Sequence, residues 1–128
     1  MIIDTQSLNS QLVGKTPLQI VQWVLEQAEN PILTTNFRPY EVAILHMAVS
    51  LKPDLKILWV DSGYNTSATY RYAQNLIEQL SLNMLTYVPK QTSAFRNVQM
   101  KGIPDVDSAL HAQFTEQVKL EPFRRALA

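Results

Sequence analysis

"KILWVDSGYNTSATYRYAQNL", Lys56 to Leu76, changes character in its middle. Ile57, Leu58, Trp59 and Val60 make an apolar run without alternation, as in a parallel strand covered by helices on both faces. A polar corner containing Gly63 follows, and then Ala73, Leu76, Ile77 and Leu80 recur at the three- and four-residue spacings of a helical stripe. Strand, corner and helix in that order predict a βαβ unit, with this strand central or nearly so.

The chain on either side repeats the unit. Upstream, Thr16-Pro17-Leu18-Gln19 has the form of a capping box with proline at the first helical position, and Leu18, Val21, Trp23, Val24, Leu25 and Ala28, mostly at three- and four-residue spacings, extend the helix to about Glu29. "ILTT", Ile32 to Thr35, reads as a short strand, "NFRPY" as a turn, and Glu41 to about Leu51 as a second helix. Downstream, "NMLTYV", Asn83 to Val88, reads as a third strand. Beyond Pro89 the pattern weakens to a helix from Thr92 to about Met100, a "GIPDVD" turn, a helix from about Asp107 to Val118 and a last one from Glu121-Pro122. The expected fold class is therefore α/β: a parallel sheet with helices on both faces and right-handed crossovers, Rossmann-like in type.

Composition narrows the partners. At 128 residues the chain suits one domain, and eleven Lys plus Arg balance eleven Asp plus Glu, so no global field favours nucleic acid or a membrane. The amino end carries no targeting signal and no window approaches a membrane span, so a cytoplasmic location is expected. There is no cysteine, which removes disulfides, thiolate metal sites, cysteine-ligated iron–sulfur clusters and any thiol nucleophile within these residues. No histidine or carboxylate group has metal-ligand spacing, so no metal and no cofactor are expected.

In open α/β sheets, ligands settle at the carboxyl ends of strands, which selects two corners. In Asp61 to Ser67, Gly63 frees the backbone while Asp61 and Ser62 offer an acceptor and a hydroxyl; taken alone, these residues favour a turn and helix cap at Asn65, Thr66 or Ser67 over a binding corner. In Thr34 to Glu41, Arg38 is either an anion fork or a solvated side chain, and Phe37 and Tyr40 either flank a ligand or, as is commoner, fill space under the loop. His46 reads as a core-edge residue bonded to backbone and His111 as exposed. Lys119, Arg124 and Arg125 gather three cations near the end, as a solvated face or as the wall of an anion pocket.

Together these segments resemble the phosphoadenosine phosphosulfate (PAPS) reductase family, a branch of the adenine-nucleotide α-hydrolase-like fold. "ILTTNFRPYEVAILHM" looks like its modified pyrophosphate loop, "ILWVDSGYNTSATYRYAQNL" is similar to its Leu-Asp-Thr-Gly-Tyr segment, and "KLEPFRRAL" to its Lys-Val-Glu-Pro-Leu, Arg-Ala-Leu segment. The resemblance implies a partner such as PAPS or adenosine 3′,5′-bisphosphate. Asn36, Phe37, Arg38 and Glu41 would lie around the phosphosulfate, Val60, Asp61, Ser62 and Gly63 would meet the adenosine, and Lys119 would reach the sulfate.

The family's chemistry, attack by a tail thiol on the sulfur of PAPS with thioredoxin or glutaredoxin restoring the thiol, has no candidate catalytic residue here. By the same resemblance the fold is incomplete at the carboxyl end, ending before the family's arginine-rich motif and cysteine-bearing tail. The first strand would then have an unpaired edge, covered by the tail helices or by a second copy in a homodimer. Two rivals remain: a regulatory or interaction module with a degenerate nucleotide site, its cleft plugged by Tyr40 or Arg38, and a related adenylyl-transferring enzyme.

Overall fold

The computed structural model describes residues 3–128. Its sheet has three parallel strands in sequence order, β1 (Ile32–Thr34), β2 (Lys56–Val60) and β3 (Asn83–Tyr87), so β2 is central as expected. Helix α1 (Thr5–Leu12) and helix α2 (Pro17–Gln27) precede the sheet, α3 (Val42–Leu51) joins β1 to β2, and α4 (Ser67–Leu80) joins β2 to β3. The tail holds α5 (Ser93–Met100), α6 (Leu110–Thr115), a π-helical turn (Glu116–Leu120) and α7 (Glu121–Leu127).

Local chemistry accounts for most boundaries. The capping box before α2 is complete: Thr16 Oγ1 accepts from the Gln19 N–H, and the Thr16 N–H donates to Gln19 Oε1. Thr66 caps α4 by accepting from the Thr69 N–H. Helix α1, unforeseen in the sequence, is capped by Asp4, whose carboxylate accepts from the Gln6 and Ser7 N–H groups.

Both faces of β2 are covered. Ile57 and Trp59 join one cluster with Leu45, Ala48 and Val49 of α3 and with Ala73 and Leu76 of α4. Leu58, also fully buried, points to the opposite face, where α7 packs against β2 and β3. The absence of alternation in "ILWV" thus reflects two covered faces, and helices lie on both sides of the sheet.

Two expectations for the tail and edge need correction. The helix expected over 107–118 divides, because the run from Leu110 to Leu127 changes to π register at Glu116, where the Glu121 N–H donates five residues back to the Glu116 carbonyl. Buried Pro122 follows, lacking the N–H that an α-helix would return to Val118; a wider turn accommodates the ring. Nor do the tail helices cover the β1 edge fully: α7 packs chiefly on β2 and β3, and Thr34 is exposed.

Candidate functional site

At the carboxyl ends of β1 and β2 lies a cleft of about 740 Å³. Its walls come from Thr34 to Pro39 and Glu41 at the end of the first strand and after it, from Leu58, Trp59, Val60 and Ser62 of the second strand and corner, from Asn65 and Thr69 at the start of α4, and from Val118, Lys119, Leu120 and Phe123 of the tail. Three segments far apart in sequence therefore meet at one opening, the position that strand-end loops favour for ligands.

The loop after β1 is held by its own polar groups. Glu41 Oε2 accepts from the Asn36 N–H at 2.9 Å and from the Thr35 hydroxyl at 3.1 Å. Thr35 Oγ1 in turn accepts from the Phe37 N–H at 3.0 Å. Phe37 has φ +56°, a left-handed conformation that is costly for a side chain of this size, and it is offset by burial: the ring stands edge-on to Trp59 with centroids 4.9 Å apart. The Asn36 and Phe37 N–H groups are both taken up by side chains of the loop itself.

The corner after β2 is equally self-contained. Asp61 Oδ1 accepts from the Gly63 N–H, from the Asn65 amide and from the Tyr70 hydroxyl, at 2.9, 2.9 and 2.8 Å. Desolvation first, and the bond to Asp61 second, raise the Tyr70 phenol above its ordinary pKa. Tyr64 reaches away from the sheet, donating its hydroxyl proton to Asn97 of α5 at 2.9 Å and meeting Phe114 of α6 edge-on.

Seven of the nine residues singled out in the sequence, Asn36, Phe37, Arg38, Glu41, Val60, Ser62 and Lys119, line the cleft. Asp61 and Gly63 do not. Asp61 faces its own loop as the acceptor that organises it, and Gly63, at φ +83°, has Ser93 of α5 beside the place a Cβ would occupy, at 3.6 Å. Gly63 therefore shapes the corner against α5. Since 3.6 Å is ordinary contact, only the backbone penalty opposes Gly63→Ala, which is expected to cost about 1–2 kcal/mol in urea unfolding.

Other side chains depart from their sequence reading. Tyr40 is 96% exposed and outside the cleft, so it plugs nothing. His46 is exposed on α3 rather than at the core edge, and His111 is half-buried beside Phe114 rather than exposed. Arg124 pairs with Glu116, while Arg125 pairs with Glu121, donates to the Val88 carbonyl at 2.7 Å and stands over the Tyr87 ring. The Arg125 bond holds the Glu121 carboxyl below its usual range. Of the three tail cations only Lys119 faces the cleft. Sequence reasoning missed Thr35, whose hydroxyl links Glu41 to Phe37; a β-branched strand residue gives no sign of that second task.

Comparisons with known proteins place the chain in a family and a fold. The family model described as "Phosphoadenosine phosphosulfate reductase domain" matches residues 30–128. A phosphoadenosine 5′-phosphosulfate reductase of Synechococcus sp. is 32% identical over 122 residues, covering 94% of this chain and 53% of that protein. One from Xanthomonas axonopodis pv. citri is 32% identical over 125 residues, covering 97% and 52%. The chain thus spans about half the length of the curated relatives it matches. Among solved structures, the phosphoadenylyl-sulfate reductase of Candida auris, a phosphate complex, superposes with a TM-score of 0.79 at 21% identity, over 98% of this chain and 63% of that one. That likeness establishes the fold. Among the described residues no helix is long and apolar enough to cross a membrane.

Proposed function

Because this chain belongs to the phosphoadenosine phosphosulfate reductase family, we propose that its cleft is an adenine-nucleotide site, taking PAPS or adenosine 3′,5′-bisphosphate, within a domain that does not itself supply the reductive chemistry. The observation that carries this reading is the convergence of Arg38, Ser62 and Lys119 on one opening of about 740 Å³ at the ends of β1 and β2, a volume suited to a nucleotide-sized ligand. Arg38 and Lys119 face the anionic groups, Ser62 and the backbone at Val60 face the adenosine, and the apolar wall of Leu58, Val118 and Phe123 excludes water beside them.

The chemical limit is equally plain. No cysteine occurs in the 128 residues, so the thiol that attacks sulfur in a PAPS reductase must come from another segment or another molecule. Binding and reduction are separable in this chain, and binding is the part that can be tested directly.

Calorimetric titration with adenosine 3′,5′-bisphosphate is expected to give saturable heat below millimolar ligand. Lys119→Ala is expected to weaken that binding by about tenfold, the worth of one charge-assisted contact. No detectable heat at millimolar ligand would sink the nucleotide reading.

A second reading, an interaction module whose nucleotide site is degenerate, is favoured by the Glu41 bonds to Asn36 and Thr35. These occupy loop groups that a bound anion would otherwise use.

A further inference from the structure

We propose that Glu41 is a resident anion of the cleft, a specificity-determining residue whose carboxylate fills the seat formed by the Thr35–Phe37 loop and excludes an external sulfate or phosphate group from it. The proposal deepens the nucleotide reading and rests on it for the identity of the natural ligand, while its own test uses a simple inorganic ion.

The argument begins with hydrogen-bond satisfaction. Phe37 sits at φ +56° and Arg38 after it is extended, so the loop turns sharply here and its N–H groups need acceptors. In this chain the negative charge that serves them is internal. Glu41 Oε2 receives the Asn36 N–H at 2.9 Å and the Thr35 hydroxyl at 3.1 Å, and the Thr35 oxygen takes up the Phe37 N–H at 3.0 Å. Pro39, two residues further, has no N–H to add.

Glu41 lies at the end of a short helical turn, Pro39–Glu41, only five residues from Asn36, so its carboxylate is returned to the loop by local geometry. It also lines the cleft together with Arg38 and Lys119. Both cations are exposed, and no carboxylate within salt-bridge distance neutralises either of them among the described residues. The cleft thus presents two free cations at its rim and a filled seat at its floor.

A second anion brought to the floor meets a like charge at roughly 4 Å, a repulsion large enough to weaken binding by at least tenfold even in a partly solvated site. Binding there requires the Glu41 side chain to swing out and surrender its two bonds. Anionic groups are accordingly confined to the rim, beside Arg38 and Lys119, unless the carboxylate is displaced.

The test follows the Asn36 and Phe37 amide resonances by two-dimensional NMR while inorganic sulfate is added. In the wild-type protein no saturable shift is expected at these two amides at millimolar sulfate. In Glu41→Ala a saturable shift is expected at both, with affinity at least about tenfold above wild type. Glu41→Gln, which keeps the size and one acceptor oxygen while losing the charge, is expected to gain part of that affinity and serves as the variant to read where Glu41→Ala melts early. Saturable sulfate binding at Asn36 in the wild type, or none in either variant, would overturn the proposal. "An adventitious ion only", seen as equal small shifts at Asn36 in all forms, would overturn it as well. None of these outcomes depends on adenosine 3′,5′-bisphosphate, so failure here and failure of the nucleotide titration are separate results.

Discussion

Trp59→Ala is expected to remove about 3–5 kcal/mol of stability, the cost of deleting a large aromatic side chain from a core. Trp59 is buried on β2 and reaches both strand-end loops through other rings: Phe37 stands edge-on to it at 4.9 Å, and Tyr70, bonded to Asp61, lies tilted at 5.9 Å. Phe37 keeps its left-handed backbone because its ring is captured there, and Tyr70 orients Asp61 through the 2.8 Å bond. The variant therefore loses more than volume. Urea unfolding should shift to a lower midpoint with little change in slope, and nucleotide binding should weaken in the surviving folded fraction. A loss below about 1 kcal/mol would mean that the two loops are held by their own hydrogen bonds and owe nothing to this ring.

The second large effect belongs to Arg96, which is fully buried on α5 and has no acidic partner among the described residues. Its guanidinium donates from Nε to Gln117 Oε1 at 2.9 Å and from Nη2 to the Gln91 carbonyl at 3.2 Å, while Nη1 and Gln91 Oε1 have no partner. Arg96 thereby ties the start of α5 to the π-helical turn that carries Lys119. Arg96→Ala is expected to cost about 3 kcal/mol, from the cavity and the two lost bonds. Arg96→Met is expected to cost less than half of that, because it keeps most of the buried stem and removes a charge that no carboxylate offsets. Thermal and urea unfolding of the pair decide the matter; equal losses would show that the charge itself, rather than its packing, holds the tail in place.

Much of this architecture is legible in the sequence because the deciding signals are local. The apolar run "ILWV", the capping box at Thr16 and the Thr66 cap each act within a few residues, and β2, α2 and α4 form where they indicate. Tail features resist reading for the opposite reason. In helix α5 the apolar Phe95 and Val98 are exposed and Arg96 is buried, its guanidinium bonded to Gln117 and to the Gln91 carbonyl. The π register at Glu116–Leu120 accommodates the Pro122 ring, and neither it nor the Arg96–Gln117 bond leaves a periodic trace.

The candidate site divides along the same line. Residue types at Arg38, Ser62 and Lys119 announce a polar cleft, and they do line one. What sequence withholds is direction: Asp61 turns inward to three donors of its own corner, and Glu41 turns inward to the loop. A carboxylate that accepts bonds from its own chain and one that faces a ligand are written with the same letter.

The strand order has a consequence for how the molecule is made. Because β1, β2 and β3 lie side by side in the order in which they occur along the chain, β2 and β3 each find a partner already made when they leave the ribosome. The β1–α3–β2 unit can close, burying Leu45, Ile57 and Trp59, while β3 is still being synthesised. The tail then travels back, carrying Lys119 to a cleft whose other walls were assembled first.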